Sequence, residues 1–239
     1  MDIPQLVEAA ARLGVALTAV QQTQFELYLN LLLAWNERLN LTAVRDPQAI
    51  IERHFYDSLT CAAVTGDLNG RALIDIGSGA GFPGLPLKIA FPQLQLTLVE
   101  SIAKKTAFLQ AVVTELGLTS VQILAERAEI LGHQPTHRAR YDWAVARAVA
   151  DMRVLAEYLL PFCRLGGSML AQKGENAAAE TAAAAHAIHI LGGSEAHLHP
   201  MPLPGTHNVH YLVVVEKCAP TPEPYPRRPG MAAKRPLGD

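Results

Sequence analysis

The chain has 239 residues, a formal net charge of −2 at pH 7 and a hydrophobic fraction of 50%. This composition excludes a disordered chain, and the slightly acidic balance disfavours a general nucleic-acid coat protein, which is usually basic. No apolar run reaches the ~18 residues of a membrane span, and the first residues lack a secretory-signal pattern. Neither the three cysteines nor the nine histidines follow a disulfide or metal-ligand spacing. We therefore expect a reducing cytoplasm, no bound metal and solvent-facing histidines in the C-terminal third.

Residues 1–64 are predicted to form a helical extension. Apolar residues recur at helical spacing between about residues 4 and 40, and Thr18 with Gln21 forms a capping-box pattern in this stretch. Asp46-Pro47 predicts the start of a further helical segment, which we expect to run to about residue 63.

Strand and helix patterns alternate within residues 65–218, which is typical of a mostly parallel sheet covered by helices on both faces. We therefore expect an α/β core over these residues. The seven predicted strands occupy residues 72–76, 94–99, 121–125, 143–146, 168–172, 197–203 and 209–216. The last two flank Pro204-Gly205 and predict an antiparallel hairpin at one edge of the sheet. Asp151 is expected to cap a helix that Gly166-Gly167 ends.

Residues 219–239 form a tail rich in proline and basic side chains. Proline lacks a backbone N–H, so regular structure is excluded for most of this segment. Two interpretations remain open. The tail is either disordered and solvated, or an arm whose Arg227 and Arg228 contact phosphate.

The most informative stretch is the loop after the first predicted strand, L-I-D-I-G-S-G-A-G-F-P-G over residues 73–84. Glycine has no Cβ, so backbone N–H groups in this loop can approach a ligand closely. A helix that follows would favour polar groups placed at its N-terminus. The pattern predicts a nucleotide-type cofactor site at the carboxyl end of a parallel strand. A tight turn without a ligand is the competing interpretation.

Two kinds of cofactor fit this loop. The last three glycines match G-x-G-x-x-G, which would suit an NAD-type oxidoreductase. The overlapping pattern D-x-G-x-G-x-G resembles the first motif of S-adenosylmethionine-dependent methyltransferases. Its residues are Asp75, Gly77, Gly79 and Gly81. In either case Glu100, at the end of the second strand, is expected to accept hydrogen bonds from a ribose.

Several short patterns in a fixed order make a family recognisable. They are Trp35-Asn36, Asn40-Leu41-Thr42, Arg45-Asp46-Pro47, Arg53-His54, Asp57-Ser58, the glycine loop, Val99-Glu100-Ser101, Lys104-Lys105, Ala146-Arg147-Ala148, Gln172-Lys173-Gly174, Tyr225-Pro226-Arg227-Arg228-Pro229-Gly230 and Lys234-Arg235-Pro236-Leu237. This set resembles the bacterial small-subunit ribosomal RNA methyltransferase G family, and the resemblance covers nearly the whole chain.

The resemblance implies a class I methyltransferase fold, which is Rossmann-like, with an N-terminal helical extension. It implies S-adenosylmethionine as methyl donor and N7 of a guanine as acceptor. That guanine lies in the decoding-region hairpin (530 loop) of 16S rRNA, in the small ribosomal subunit or its precursor. Carried over by position, the cofactor contacts are Gly77, Phe82, Ala128, Glu129 and Arg147. From the residues alone, Glu129 could equally be a helix-surface charge. An NAD-type oxidoreductase and a non-catalytic rRNA-binding assembly factor remain alternatives.

N7 of guanine carries a free lone pair, so methyl transfer to it needs no positioned proton acceptor, and we name no catalytic residue. We expect a monomer that acts by alignment of the two reactants. Cations near the expected rim are candidates for RNA contact: Arg45, Arg53, His54, Arg147, Lys173, Arg227 and Arg228. The competing interpretations are a solvated loop lysine for Lys173 and, near the extension, residues that fix it onto the core. His54 is expected to pair with Asp57 one helical turn away.

Overall fold

The structure, a computed structural model, describes residues 1–202 and 209–238. The extension contains α1 (Ile3–Arg12), α2 (Ala19–Leu39), α3 (Pro47–Ile50), a π-helical turn (Ile51–Tyr56), α4 (Asp57–Leu59) and α5 (Ala62–Thr65). The predicted capping box is present, since Thr18 Oγ1 accepts from the N–H of Gln21 and the Gln21 side chain accepts in return from the N–H of Thr18. The helix expected after Pro47 is also present, but the π turn interrupts it.

The core is a seven-stranded sheet, and the mostly parallel fold is confirmed. Its strands are β1 (Ala72–Ile76), β2 (Gln95–Val99), β3 (Val121–Leu124), β4 (Tyr141–Arg147), β5 (Cys163–Lys173), β6 (His197–Pro202) and β7 (Val209–Glu216). They lie in the order β3-β2-β1-β4-β5-β7-β6. The edge hairpin is confirmed, with β7 antiparallel to both its neighbours and one position in from the edge. The predicted turn at Pro204-Gly205 lies outside the described residues.

Five helices cover the faces of this sheet. They are α6 (Gly84–Ala90), α7 (Ala103–Glu115), α8 (Ala128–Leu131), α9 (Met152–Leu159) and α10 (Ala177–Ile190). Asp151 caps α9 as predicted, by accepting a hydrogen bond from the N–H of Arg153. Sequence reasoning missed α8 because four residues are too few to show helical periodicity.

Gly166-Gly167 does not end a helix, because β5 begins at Cys163 and includes both glycines. A Cβ on Gly167 would lie 2.8 Å from the carbonyl oxygens of Tyr141 and Asp142. The glycine therefore permits a close approach between β5 and the irregular start of β4, where the pairing register shifts.

The extension joins the core through one continuous apolar cluster. The ring centroid of Tyr28, in α2, lies 5.6 Å from that of Phe82, in the glycine loop, and 6.4 Å from that of Phe108, in α7. The ring of Phe55 stacks on Tyr28 at 5.1 Å. Gln21 adds a polar contact, since its amide donates to the carbonyls of Ile89 and Ala90 at the end of α6. The extension and the glycine loop are therefore packed against each other directly.

The tail is docked on the core rather than solvated. Arg227 forms an ion pair with Glu157, whose side chain is fully buried, with 2.6 Å between Nη2 and Oε2. The guanidinium of Arg138 donates to the carbonyls of Tyr225 and Thr221 in the tail. A short helix, α11 (Met231–Lys234), is the one regular element in residues 219–238. The interpretation of a disordered tail is therefore wrong for these residues, because polar partners hold an irregular backbone.

Two of the three cysteines, Cys61 and Cys163, are buried, whereas Cys218 is exposed between β7 and the tail. Within residues 1–202 and 209–238, no helix is both long enough and apolar enough to cross a membrane. The same residues contain no cluster of three or more side chains that could ligate a metal ion.

Candidate cofactor and substrate site

The glycine loop leaves β1 at its carboxyl end and turns around Asp75. This side chain is fully buried, and its Oδ2 accepts a hydrogen bond of 2.9 Å from the N–H of Gly84, the first residue of α6. Its Oδ1 has no partner among the described residues. Burial raises the pKa of Asp75 to about 7, and the Gly84 hydrogen bond opposes that rise. Asp75 therefore fixes the loop and leaves one buried acceptor atom unused.

Three glycines of the loop, at positions 77, 79 and 81, adopt backbone conformations that a side chain would strain, and at the first and the last a Cβ would also collide with a neighbour. Gly77 has φ +71°, and a Cβ there would lie 2.8 Å from Val149, which follows β4. Gly81 has φ +98°, and a Cβ there would lie 2.7 Å from the hydroxyl of Tyr28. That hydroxyl also donates to the carbonyl of Ala80. The loop thus has glycine where neighbouring elements come closest to its backbone.

Glu100 follows β2 and faces the glycine loop. It is 6% exposed, and its Oε2 accepts a 3.1 Å hydrogen bond from the N–H of Gly79. Its Oε1 accepts a 2.8 Å bond from the N–H of Ile102. The structure therefore brings together the loop and the carboxylate that the sequence placed at the ends of two adjacent strands.

Ala128 and Glu129 begin α8 and are both buried. The carboxylate of Glu129 is directed at the tail and at α9: Oε1 accepts from the N–H of Gly230 at 2.9 Å and from the hydroxyl of Tyr158 at 3.2 Å. The interpretation of Glu129 as a helix-surface charge is therefore wrong. Its carboxylate anchors the tail to the segment that follows β3.

Arg147, at the end of β4, is the centre of the second part of the site. Its Nη1 donates to Asp57 Oδ2 at 2.9 Å and to the carbonyl of Arg53 at 3.1 Å. Its guanidinium carbon lies 4.8 Å from the centre of the Phe82 ring. Arg147 therefore connects the glycine loop with the extension.

His54 packs beside Arg147 and also contacts Phe82. Its ring stacks on Phe82 with centroids 4.8 Å apart, and its Nε2 lies 2.7 Å from Thr42 Oγ1. Burial, with a smaller contribution from the positive charge of Arg147, lowers the pKa of His54 to about 4. The imidazole is therefore neutral at pH 7.

The sequence predicted a direct pair between His54 and Asp57, but the two side chains do not pair directly. Both contact Arg147 instead, with 3.3 Å between Arg147 Nη2 and His54 Nδ1. The prediction assumed α-helical geometry, in which residues one turn apart share a face. The π-helical turn at Ile51–Tyr56 widens the helix here and changes that alignment.

Asp57 is the residue whose importance sequence reasoning underestimated. It is 3% exposed, and its Oδ1 lies 3.2 Å from His210 Nδ1 on β7. Its backbone carbonyl accepts a 2.7 Å hydrogen bond from Gln172 Nε2 on β5. His210 was expected to face solvent, but it contributes to this cluster, and no local sequence signal relates the two residues.

A cleft of about 630 Å³ opens beside this cluster. Its lining residues are Arg53, His54, Asp57, Arg147, Ala148, Gln172, Lys173, Gly174, Glu175, Asn176, Glu180 and His210. The cleft thus brings together four of the seven residues predicted to contact RNA, namely Arg53, Arg147, Lys173 and the neutral His54. Arg45 and Arg228 are exposed outside this lining, and Arg227 is paired with Glu157.

Lys173 is held at the wall of the cleft rather than solvated. Its Nζ lies 2.5 Å from Glu180 Oε2 and donates a 2.8 Å hydrogen bond to the carbonyl of Ala150. The interpretation of Lys173 as a solvated loop lysine is therefore wrong, and its charge is partly compensated by Glu180.

Three exposed apolar side chains follow the carboxyl ends of parallel strands of the sheet, and sequence reasoning missed them. Ile102 after β2 is 49% exposed, Ile130 after β3 is 40% exposed and Val149 after β4 is 36% exposed. Large apolar side chains left in water beside a polar strand end are typical of a ligand-binding rim. Each lies one or two residues after a predicted site residue. This position in the sequence could have identified them as part of the site.

Comparison with known proteins agrees with this geometry. A family model described as rRNA small subunit methyltransferase G matches residues 21–206. A protein of Roseiflexus castenholzii named ribosomal RNA small subunit methyltransferase G is 50% identical over 233 residues, which cover 98% of this chain and 99% of that protein. The protein of the same name in Chloroflexus aggregans is 48% identical over 234 residues, which cover 97% of each. A solved SAM-dependent O-methyltransferase from Thermotoga maritima matches with a TM-score of 0.54 at 16% identity, covering 79% of this chain and 71% of that one. This likeness confirms the predicted fold class.

Proposed function

Because the chain belongs to the rRNA small subunit methyltransferase G family, we propose that it transfers a methyl group from S-adenosylmethionine to N7 of a guanine in the 530-loop hairpin of 16S rRNA. The observation that carries the proposal is the meeting of two features at Phe82. Phe82 belongs to the glycine loop that contacts Glu100, and Arg147, which lines the cationic cleft, lies 4.8 Å from its ring centre. The protein acts in the cytoplasm as a monomer and needs no metal.

The residues around the glycine loop fit S-adenosylmethionine. Glu100 offers two carboxylate oxygens for the ribose hydroxyls, and Ile102 and Ile130 offer apolar surface on which the adenine can lie. The unused Oδ1 of buried Asp75 offers an acceptor for the ammonium group of the methionine part. Gly77 and Gly79 carry no Cβ, so the loop backbone can approach the ligand closely.

Phe82 supplies an apolar wall between the cofactor and the cleft, and Ala128 offers a small side chain towards the adenine. Glu129 supports this adenine end indirectly, because its carboxylate fixes the tail against α8.

The bound cofactor supplies an electrophilic methyl group. The protein has no proton to remove, because the N7 lone pair of guanine is free, so its task is to exclude water and to hold the two reactants in line. The walls formed by Phe82, His54 and Arg147 provide a rigid, largely buried setting for that alignment.

The RNA approaches over the cationic rim. Arg53 and Lys173, at the cleft, and the exposed Arg45 and Arg228 contact phosphate, which positions the hairpin without reading its sequence. Arg227 is not part of this surface, because its guanidinium is paired with the carboxylate of Glu157.

The test is methyl transfer from labelled S-adenosylmethionine to small ribosomal subunits that lack N7 methylation. We expect label at one guanine N7 of the 530-loop hairpin. Absence of label from subunits, free 16S RNA and precursor particles, with cofactor binding shown by calorimetry, would overturn the ribosomal assignment. Retention of NADH in preference to S-adenosylhomocysteine would favour an oxidoreductase. Binding of 16S RNA without transfer would favour an assembly factor.

A matched pair of variants tests the cofactor site. Glu100→Gln removes the charge that would accept the ribose hydroxyls, so we expect S-adenosylhomocysteine to bind about 10- to 100-fold more weakly. Glu115→Gln, at the exposed end of α7, should bind it as the wild type does. Equal affinities of the two variants would contradict the assignment of Glu100.

A further inference from the structure

Asp57 joins separate parts of the chain at the cleft. It lies in the extension, and its carboxylate contacts Arg147 at the end of β4 and His210 on β7, while its carbonyl accepts from Gln172 on β5. A residue that only fastened the extension to the core would not need a carboxylate at the site of reaction. We infer that Asp57 is a positioning residue for methyl transfer, which holds Arg147 over Phe82 and cancels its charge beside the reacting guanine.

The burial of the two charges supports this role. The side chains of Asp57 and Arg147 are 4% and 15% exposed, so their interaction is only weakly screened by water. One guanidinium nitrogen of Arg147 is shared between Asp57 and the carbonyl of Arg53, which fixes the plane of the group above Phe82. Without the carboxylate, Arg147 would lose its only charged partner among the described contacts.

The charge changes during methyl transfer explain why the positive charge of Arg147 should be neutralised. The guanine becomes cationic as the N7–methyl bond forms and the sulfur–methyl bond breaks, with the sulfonium charge passing to the base. An unpaired arginine beside the base would oppose that development of positive charge, whereas a paired one would not. His54 cannot replace the anion, because the imidazole is neutral or positive at any pH. The inference rests on the proposed function, since it requires a base that gains charge in this cleft.

The experiment compares single-turnover methyl transfer by wild type, Asp57→Asn, Arg147→Met and the double variant at saturating cofactor. We expect Asp57→Asn to transfer about 100-fold more slowly, with the affinity for S-adenosylhomocysteine within threefold of wild type. In the Arg147→Met background, Asp57→Asn should slow transfer by less than threefold more, because Asp57 acts through Arg147. Asp142→Asn is the control, since Asp142 also pairs with an arginine, Arg164, but at the opposite end of β4. It should retain the wild-type rate.

Arg147→Lys covers the case in which Asp57→Asn does not fold. It keeps the charge and loses the planar fork, so a wild-type rate in this variant would overturn the positioning role. An unchanged rate in folded Asp57→Asn, or an equal loss in the two backgrounds, would also overturn it while leaving the proposed function intact. A wild-type protein that transfers no methyl group to guanine N7 would overturn both.

Discussion

The N-terminal extension and the C-terminal tail both pack on the core, but different interactions hold them. The extension is held mainly by aromatic side chains, as in the stacking of Tyr28 on Phe55 and Phe82, with the Asp57–Arg147 ion pair as an additional polar contact. The tail is held by a buried ion pair, Arg227 with Glu157, and by hydrogen bonds to its carbonyls. Apolar packing tolerates small displacements, whereas a buried charge needs its partner in place. The tail should therefore depend on Arg227 more strongly than the extension depends on any one of its aromatic rings.

The two regions also reach different parts of the site. The extension brings His54 and Asp57 to the cationic cleft. The N–H of Gly230, in the tail, donates to Glu129, which lies on the segment that follows β3. Under the proposed function, the extension therefore contributes to the substrate side of the site and the tail contributes to the cofactor side.

Arg227→Met tests the polar docking of the tail and should have the largest effect on stability. It leaves the carboxylate of Glu157 buried without its partner, so we expect a loss of about 3–5 kcal/mol in the free energy of unfolding, measured by urea denaturation. Arg228→Met is the matched control, because Arg228 is exposed, and it should change stability by less than about 0.5 kcal/mol. Similar small changes in both variants would mean that the tail contributes little to stability.

The lowered pKa of His54 predicts how the stability of the extension depends on pH. The folded value is about 4 against an ordinary value of 6.5, so between these pH values the unfolded chain binds a proton that the folded chain does not. Stability should therefore fall as the pH drops from 6.5 and level off below about 4. His54 alone should account for roughly 3 kcal/mol of this loss.

The measurement is the free energy of unfolding against pH for wild type and His54→Gln. The variant should show a shallower decline over this window. His197→Gln, which replaces an exposed histidine on β6, should keep the wild-type slope. Parallel curves for wild type and His54→Gln would contradict burial of a neutral imidazole at this position.

Thr18→Ala should have the smallest effect, because it removes the N-cap of α2 without exposing the apolar cluster of the extension. Loss of an N-cap side chain costs about 1 kcal/mol, which thermal unfolding can resolve. Thr23→Ala, within the same helix and exposed, should be neutral or slightly stabilising. A loss of several kcal/mol in Thr18→Ala would show that the extension depends on single polar contacts as the tail does.

Local patterns predicted the parts of the fold that short segments determine. The bounds of β1 and β7 and the capping box at Thr18 follow from alternation and spacing within a few residues. The glycine loop and Glu100 were placed together because parallel strands end at the same edge of a sheet.

Contacts between distant residues could not be predicted in this way. Asp57 and Arg147 are 90 residues apart, and Asp57 and His210 are 153 apart. The partner of Arg227 lies 70 residues away. The sequence shows which side chains are charged and therefore need a partner or water. Which partner each of them finds depends on how the elements pack.

Because Cys218 is exposed, its thiol provides a site for chemical labelling at the start of the tail. Burial raises the pKa of the Cys163 thiol to about 12 and that of the Cys61 thiol well above its ordinary value, so neither presents a reactive thiolate at neutral pH. A maleimide dye should therefore attach to Cys218 alone in the native chain. Its fluorescence would report directly when the tail leaves the core, without any engineered cysteine.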